Sequence, residues 1–271
     1  MKVAAVQFVS GGDIEENLDR AKELISTAAS NGAQLIVLPE ATAQSFSSGR
    51  LDTNAQELDG DFARQLQAHA EELGVTVVAG MFRPADSVDK DSKTINRVYN
   101  TALITGPGVH LGYNKIHTYD AFDYRESDTV KPGTELVSFE LGGLTVGVAI
   151  CYDVRFPEQF KALAQQGAEV IVVPTSWADG PKKLEQWRLL SATRALDSTA
   201  YIVCAGQARP GGNDKAGESS GPTGIGHSVI CTPTGERIAE AGYEEEIIYA
   251  DIDPELVAKT RKTLPVLETL S

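Results

Sequence analysis

Three apolar runs of the sequence bring a reactive side chain to the point where a strand would end. "LIVLPE" ends in Glu40, "LTVGVAIC" ends in Cys151, and "LGYNKIHTYD" places Lys115 shortly after the run at 99–104. A thiol can act as a nucleophile, a carboxylate can take and return a proton, and an ammonium group can stabilise an oxyanion. Because catalytic groups gather at the carboxyl ends of strands in α/β architectures, these placements indicate a candidate site for nucleophilic catalysis.

Cys151 has two interpretations on local sequence alone. It lies between an apolar run and a helix pattern that begins near Pro157 and Glu158, two residues suited to a first helical turn. A thiol near a helix N-terminus has a stabilised thiolate, which nucleophilic catalysis needs at neutral pH. The alternative is a packed cysteine, because free cysteine is among the most buried residue types. Cys204 and Cys231 lie inside strand patterns, and we interpret both as structural.

Glu40 and Lys115 also leave alternatives open. An apolar wall around Glu40 would raise the pKa of its carboxyl toward the range of a general base, whereas a loop glutamate would be exposed. Lys115 is either a fixed positive charge beside an oxyanion or a solvated loop cation. The four histidines show no zinc-site spacing, and the sequence contains no P-loop or dinucleotide fingerprint. We therefore predict neither a metal nor a cofactor.

The elements that must position these side chains alternate between apolar β-rich runs and amphipathic helical segments. Several runs are apolar on both sides of the alternation, as expected for strands covered on both faces. The pattern predicts an α/β protein whose sheets lie between helix layers. The predicted strands are 3–8, 35–39, 75–82, 99–104, 144–151, 169–177, 200–207, a hairpin within 227–242 around Thr234 and Gly235, and 246–253. The predicted helices lie within 13–33, 59–74, 156–169 and 183–199.

Domain organisation follows from what interrupts these elements. The stretch 208–224 is rich in glycine, serine and proline, and we predict a mobile loop there. It is too short for a linker between domains, and no repeat of fixed period occurs. We therefore predict one domain over residues 1–271.

Composition narrows the classes of partner and compartment. The net charge is −14, from 38 acidic and 24 basic residues. Such a surface repels phosphate backbones and anionic lipid head groups, which argues against a nucleic-acid or membrane partner. Three cysteines without a CxxC pair indicate a reducing compartment rather than a disulfide framework. The opening apolar run is too short for a secretory signal and no run approaches a membrane span, so we expect the cytoplasm.

The three motifs together resemble the nitrilase superfamily of carbon–nitrogen hydrolases. The resemblance rests on "LIVLPE", "YNKIHTYD" and "VGVAICYDVRFPE" in that order and runs through most of the chain. It implies a triad in which Glu40 is the general base, Lys115 the oxyanion stabiliser and Cys151 the nucleophile. It also implies that Glu126 holds the lysine and that the backbone N–H of Tyr152 helps to bind the oxyanion. The implied fold is a four-layer α-β-β-α sandwich, commonly assembled as homodimers through helix packing.

The segment "CYDVRFPE" is close to the Nit-type branch, which includes omega-amidases and deaminated-glutathione amidases. In omega-amidases an arginine four residues after the nucleophile contacts a substrate carboxylate, and Arg155 matches that position. A salt bridge from Arg155 to Asp153 or Glu158 is the alternative. Omega-amidases tend to carry Thr-Thr-Gly-Pro where this chain has Ala-Asp-Gly-Pro. An Asp179 carboxylate facing the pocket would disfavour an anionic substrate or select an amine.

The resemblance implies a thiol-dependent amidase acting on a small-molecule substrate. The leading hypothesis is release of ammonia from a small carboxamide, such as the omega-amide of a 2-oxo acid, through a thioester on Cys151. Hydrolysis of a nitrile or an N-carbamoyl amide by the same triad is an alternative. A non-catalytic interaction protein is a further alternative, against which the three intact side chains argue.

Overall fold

Strands and helices alternate along the chain in the computed structural model, which describes residues 1–90, 92–121 and 124–268. The strands are β1 (Lys2–Gln7), β2 (Leu35–Val37), β3 (Thr76–Lys90), β4 (Lys93–Gly106), β5 (Val109–Asn114), β6 (Asp120–Ala121), β7 (Tyr124–Arg125), β8 (Val137–Leu141), β9 (Leu144–Val148), β10 (Val170–Thr175), β11 (Tyr201–Gly206), β12 (Val229–Cys231), β13 (Arg237–Glu240) and β14 (Glu246–Asp251). The helices are α1 (Ile14–Ser30), α2 (Asp61–Leu73), α3 (Pro157–Gln165), α4 (Lys183–Ser198) and α5 (Pro254–Thr263).

Two six-stranded mixed sheets form the centre of the fold. The first has the order β14-β1-β2-β3-β4-β5 and the second the order β13-β12-β11-β10-β9-β8. In each sheet three neighbouring strands are parallel, β1, β2 and β3 in the first and β9, β10 and β11 in the second. The flanking strands pair antiparallel. The parallel strands of each sheet therefore end at a common edge, and Glu40 and Cys151 follow two of these strands, β2 in the first sheet and β9 in the second.

Alternate residues along a strand face opposite sides of its sheet, so β1 contributes to two different buried layers. Ala4 and Val6 of β1 pack with buried residues of α1 and α2, whereas Val3 and Ala5 belong to the core shared with the second sheet. Helices α3 and α4 pack on each other, and Phe160 and Trp187 from them belong to that shared core. The result is an α-β-β-α sandwich, so the predicted four-layer α/β architecture is confirmed.

Local signals place the helix ends close to the predicted positions. The Asp13 carboxylate accepts hydrogen bonds from the backbone N–H groups of Glu15 and Glu16 at 2.8 and 3.1 Å, which caps α1. Helix α2 ends at Gly74 in a left-handed conformation that glycine adopts without steric cost. Helix α3 starts at Pro157, whose fixed φ suits a first turn.

Several elements differ from the sequence predictions. Strand β3 continues beyond its predicted run to Lys90 and β4 begins ahead of its predicted run at Lys93, because polar residues continue their ladder outside the core. Strand β5 was not predicted, and it lies between the 99–104 run and Lys115. Strand β8 and helix α5 were also missed.

The stretch that was predicted to be a mobile loop is anchored to the strand edge that follows β10. Arg209 is buried and its Nε lies 3.3 Å from an oxygen of the buried Asp179 carboxylate. The backbone N–H of Gly217 also donates a hydrogen bond to the Asp179 carboxylate, at 2.8 Å. A buried ion pair and backbone hydrogen bonds therefore organise this glycine-rich segment.

In the part of the chain that the structure describes, no helix is long and apolar enough to cross a membrane. Cys151, Cys204 and Cys231 all have free thiols.

Candidate active site

Four ionisable side chains meet where the two sheets face each other. Glu40 follows β2, Lys115 follows β5, Glu126 lies in a short 3₁₀ turn and Cys151 follows β9. Their exposed fractions are 1% for Glu40, 2% for Lys115, 2% for Glu126 and 7% for Cys151. All four line one pocket. The structure therefore brings together the four side chains to which the sequence assigned catalytic roles.

Glu40 is held by the neighbouring strand and by donors from both sheets. A side chain at Gly80 of β3 would place its Cβ 2.7 Å from the Cα of Glu40, so glycine permits the close approach. One carboxylate oxygen, Oε1, accepts a hydrogen bond from Asn100 Nδ2 at 2.7 Å. The other, Oε2, accepts one from the backbone N–H of Ser176 at 2.8 Å. These contacts fix the direction in which the carboxylate points.

Lys115 lies between two carboxylates. Its Nζ is 3.1 Å from Glu40 Oε1 and 2.9 Å from Glu126 Oε2. Glu126 also accepts a hydrogen bond from the backbone N–H of Tyr119. The lysine ammonium is thus held from both sides in a buried position, an arrangement in which loss of one partner leaves an uncompensated charge.

Cys151 begins the 3₁₀ turn Cys151–Arg155 directly after the second sheet, with α3 following. Its φ of +43° is a left-handed conformation that non-glycine residues rarely adopt. Such strain is concentrated at functional sites, where a sharp turn after a strand presents a nucleophile. The Glu40 carboxylate and the backbone of Ser176 are close enough to the thiol to act on its pKa.

Burial and neighbouring charges shift the pKa values of the site residues, in some cases in opposing directions. Burial raises the pKa of Glu40, with a further contribution from Glu126 and opposition from Lys115. Burial likewise raises the pKa of Cys151 well above its usual value, and the neighbouring Glu40 carboxylate raises it further. Burial opposes the charge on Lys115, but the carboxylates of Glu126 and Glu40 outweigh it and raise the lysine pKa well above its usual value. Lys115 is therefore a permanent cation beside a neutral thiol and a basic carboxylate.

A buried carboxylate connects the nucleophile turn to the strand that carries Lys115. Asp153 Oδ2 accepts hydrogen bonds from the backbone N–H of Ile150 at 2.8 Å and from the Tyr113 hydroxyl at 2.6 Å. Asp153 Oδ1 accepts from the backbone N–H and Nδ1 of His117 at 3.0 and 2.8 Å. Asp153 therefore fixes the end of β5 relative to Cys151.

The pocket is a narrow space of about 450 Å³, part of it open to solvent. Its walls beyond the four ionisable groups are mainly aromatic, and two cations, Arg155 and Lys183, lie among them. A lining of this composition, mainly apolar with a few converging polar groups, is typical of a site for a small molecule. The aromatic and apolar lining consists of Phe46, Tyr119, Tyr152, Trp177, Ala178 and Pro222.

Arg155 lies in the pocket wall without a carboxylate partner in the part of the chain that the structure describes. Its Nη2 donates to Gln186 Oε1 at 2.9 Å, and its guanidinium lies 5.0 Å from the ring centre of Trp177. The alternative ion pair with Asp153 is not formed, because that carboxylate is occupied by Tyr113 and His117. Arg155 is held in place while its charge stays available to the pocket.

Asp179 does not line the pocket. Its buried carboxylate is paired with Arg209 and accepts from backbone N–H groups, so it supports the 208–224 segment. The expected effect of Asp179 on an anionic substrate depended on its facing the pocket, and the structure contradicts that position. In the same region Ser176 Oγ donates to the carbonyl of Pro222 at 2.7 Å, which brings the segment to the pocket wall.

Sequence reasoning missed Asn100, Ser176, Trp177 and Lys183. Ser176 and Trp177 could have been found, because the run 169–177 ends in polar residues as do the runs that lead to Glu40 and Cys151. Asn100 lies within a strand and Lys183 opens a helix, and neither position carries a local signal of a site. Among the described residues, no cluster of three or more histidine, cysteine or acidic side chains could hold a metal ion.

The chain is similar to known proteins in family, sequence and structure. The model of the carbon–nitrogen hydrolase family matches residues 2–262. Deaminated glutathione amidase from Escherichia coli O157:H7 is 36% identical over 98% of this chain and 96% of its own length. Omega-amidase NIT2 from Xenopus tropicalis is 34% identical over 98% of this chain and 93% of its own length.

A solved structure shows the same architecture. The crystal structure of Nit3 from Saccharomyces cerevisiae, a member of branch 10 of the nitrilase superfamily, aligns with a TM-score of 0.81 and 30% identity. The alignment covers 98% of this chain and 94% of Nit3. The likeness therefore extends over the helices and both sheets.

Proposed function

The chain belongs to the carbon–nitrogen hydrolase family of the nitrilase superfamily and is an amidase, and we propose that it releases ammonia from a small carboxamide that carries a carboxylate. The observation that supports this proposal is the composition of one pocket. It contains a thiol, a carboxylate and a buried ammonium group, together with an arginine that has no carboxylate partner among the described residues. The first three groups suit amide hydrolysis, and the arginine suits the recognition of an anion.

Acylation begins with transfer of the Cys151 proton to Glu40. The thiolate attacks the amide carbonyl, and the C–S bond forms as the carbonyl becomes an oxyanion. The Lys115 ammonium and the backbone N–H of Tyr152 stabilise that oxyanion, an interaction that is strongest in the transition state. Glu126 holds Lys115 in position. Protonated Glu40 then gives its proton to the departing nitrogen, so that ammonia leaves and a thioester on Cys151 remains.

Deacylation uses the same groups. Glu40 takes a proton from water, and the resulting hydroxide attacks the thioester carbonyl. The second oxyanion is stabilised by the same donors, and its collapse breaks the C–S bond. The proton on Glu40 returns to the Cys151 thiolate, so that the free carboxylic acid leaves and the enzyme is restored.

Substrate choice is assigned to Arg155. A planar guanidinium matches a carboxylate in a bidentate manner, and the contacts of Arg155 with Gln186 and the Trp177 ring hold it in the pocket wall. The relatives named omega-amidase and deaminated glutathione amidase support an omega-amide as substrate. The omega-amide of a 2-oxo acid fits this description, because it places a carboxylate at the opposite end of a short chain.

A matched pair of amides tests this proposal. Succinamate and butyramide have the same length, and only succinamate carries a carboxylate. We expect ammonia release from succinamate to be preferred, and Arg155→Met to lower kcat/KM for succinamate by roughly 10- to 100-fold, since a hydrogen-bonded charge contributes about 1.5–3 kcal/mol. The same substitution should leave kcat/KM for butyramide nearly unchanged.

The control is Arg188→Met, because Arg188 on α4 pairs with Glu240 and does not line the pocket. Equal loss on both amides in Arg155→Met would contradict a role in carboxylate recognition. Ammonia release from a matched nitrile or N-carbamoyl compound, without release from either amide, would contradict the assigned reaction.

A homodimer formed through helix packing belongs to the same proposal. Leu189 and Leu196 lie seven residues apart on one face of α4, and their exposed fractions are 68% and 40%. We expect a dimer in sedimentation velocity experiments, and a shift toward monomer in Leu189→Glu, because burying an unpaired carboxylate in an interface is costly. A monomeric wild-type protein would contradict this part of the proposal.

A further inference from the structure

Asn100, in β4, contacts three of the four ionisable groups of the site. Its backbone carbonyl accepts a hydrogen bond from the backbone N–H of Lys115 at 2.8 Å. Its side-chain Nδ2 donates to Glu40 Oε1 at 2.7 Å and to Glu126 Oε1 at 3.2 Å. The residue is 1% exposed and does not line the pocket. Asn100 therefore acts on the site only through its neighbours.

The amide nitrogen of Asn100 and the ammonium group of Lys115 contact the same two oxygens. Lys115 Nζ lies 3.1 Å from Glu40 Oε1 and 3.1 Å from Glu126 Oε1. Two carboxylates thus share one cation and one neutral double donor. A neutral amide stabilises both anions without adding charge, and its two N–H groups match the two oxygens.

The orientation of Asn100 comes at a cost. Its Oδ1 is buried and has no hydrogen-bond partner among the described residues. An unsatisfied buried acceptor is destabilising, and such groups are rare in folded proteins. In this orientation both N–H groups point at the carboxylates, and the carbonyl oxygen is left without a hydrogen-bond donor in the described part of the chain.

On this geometry, and resting on the proposed function, we infer that Asn100 is a positioning residue that keeps Glu40 ionised and directed at the Cys151 thiol. The charged and polar groups that face Glu40 are Asn100, Lys115, Glu126, Cys151 and the backbone N–H of Ser176. Burial and the Glu126 carboxylate oppose ionisation of Glu40, whereas Lys115 and Asn100 favour it. Removal of the amide donor therefore shifts the balance toward a protonated base.

The rate at which iodoacetamide alkylates Cys151 reports the protonation state of Glu40 without any substrate. The sulfur–carbon bond forms, iodide leaves, and the thiol proton passes to Glu40. The rate, followed by mass spectrometry, should therefore fall as Glu40 becomes protonated at low pH. The low-pH side of the pH–rate profile, its acid limb, should move to higher pH by about one to two units in Asn100→Ala. This shift corresponds to the loss of one hydrogen bond to a charged group. The acid limb of kcat/KM should move in the same direction.

Asn100→Asp provides a second variant of nearly the same shape. It replaces the donor with a third acceptor, so the limb should move upward at least as far. In both variants the rate should return toward the wild-type value at high pH, where Glu40 is ionised again. The control is Thr101→Val, because Thr101 is the neighbouring buried residue of β4 and bonds Asn114 instead of the site.

The outcomes separate this inference from the proposed function. Unmoved acid limbs in Asn100→Ala and Asn100→Asp, with rates lowered equally at every pH, would show a structural role and overturn the inference. Shifted limbs in alkylation support the inference even if succinamate is not hydrolysed, which would contradict only the assigned substrate.

Discussion

Cys151→Ala is expected to abolish amide hydrolysis while leaving the fold intact. Loss of a nucleophile that acts as a unit with its base typically costs on the order of 10⁵- to 10⁶-fold in kcat, because the remaining groups cannot form the covalent intermediate. Alanine tolerates the left-handed backbone at this position no worse than cysteine, since both carry a Cβ. Ammonia release and the thermal unfolding midpoint are the two measurements.

A second buried cysteine supplies the matched control. Cys204 is fully buried in β11, and its thiol is remote from the pocket lining. Cys204→Ala should therefore lower stability slightly and keep activity. Intact-mass spectra during turnover should show an acylated wild-type enzyme and no adduct on Cys151→Ala. Ammonia release by Cys151→Ala at the wild-type rate would contradict the covalent mechanism.

Lys115→Met is expected to remove activity and to destabilise the protein strongly. Methionine keeps much of the side-chain volume, but it leaves the carboxylates of Glu40 and Glu126 buried without a cation. Breaking a buried ion pair by removing one partner typically costs about 3–5 kcal/mol, a large fraction of the stability of a domain. The free energy of unfolding from urea titration measures this loss.

The destabilisation should depend on pH with a definite sign. Burial already raises the pKa of Glu40 above its ordinary value of 4.5, and Lys115 opposes that rise. Without Lys115 the folded-state pKa rises further, so the destabilisation grows as the pH rises above the ordinary value of 4.5, at which the unfolded carboxyl ionises, and is complete above the folded-state pKa. The stability difference between variant and wild type should therefore be largest near about pH 8 and shrink near about pH 5.

Two further variants check the physical cause. Lys90→Met removes an exposed lysine that pairs with Asp128, and should cost less than about 1 kcal/mol at any pH. The double variant of Lys115→Met with Glu126→Gln should regain part of the lost stability, because one uncompensated charge is gone, but no activity. A loss in Lys115→Met that is independent of pH would contradict the electrostatic explanation.

Much of the candidate site could be predicted from the sequence because Glu40 and Cys151 come directly after apolar strands, one in each sheet. Catalytic groups gather at the carboxyl ends of strands in α/β folds, so the local pattern and the architecture point to the same residues. The resemblance added Glu126, which opens a short 3₁₀ turn after the two-residue strand β7 and has no apolar run before it in the sequence. The four-layer fold followed from the same alternation of strands and helices.

What the sequence could not show depends on contacts between distant segments. Asn100 lies 60 residues from Glu40 in sequence and reads as an ordinary strand residue, yet its amide is bonded to that carboxylate. Asp179 was considered as a pocket residue, but its partner Arg209 lies in another segment, and only the folded chain shows that they pair. The polar parts of β3 and β4, residues 83–90 and 93–98, lack apolar alternation because their ladder extends beyond the core.

The assembly of the site from two sheets also has a consequence for tolerance to mutation. Glu40 and Lys115 follow strands of the first sheet, whereas Cys151 and the Ser176 N–H follow strands of the second. We expect a substitution such as Ala5→Val, in the layer between the sheets, to change the spacing between base and nucleophile. A substitution at the equally buried Ala4, on the helix side of the same strand, should change that spacing less. In a library of variants selected for hydrolysis, the central layer will therefore accept fewer residue types than the outer layers, although burial is the same in both.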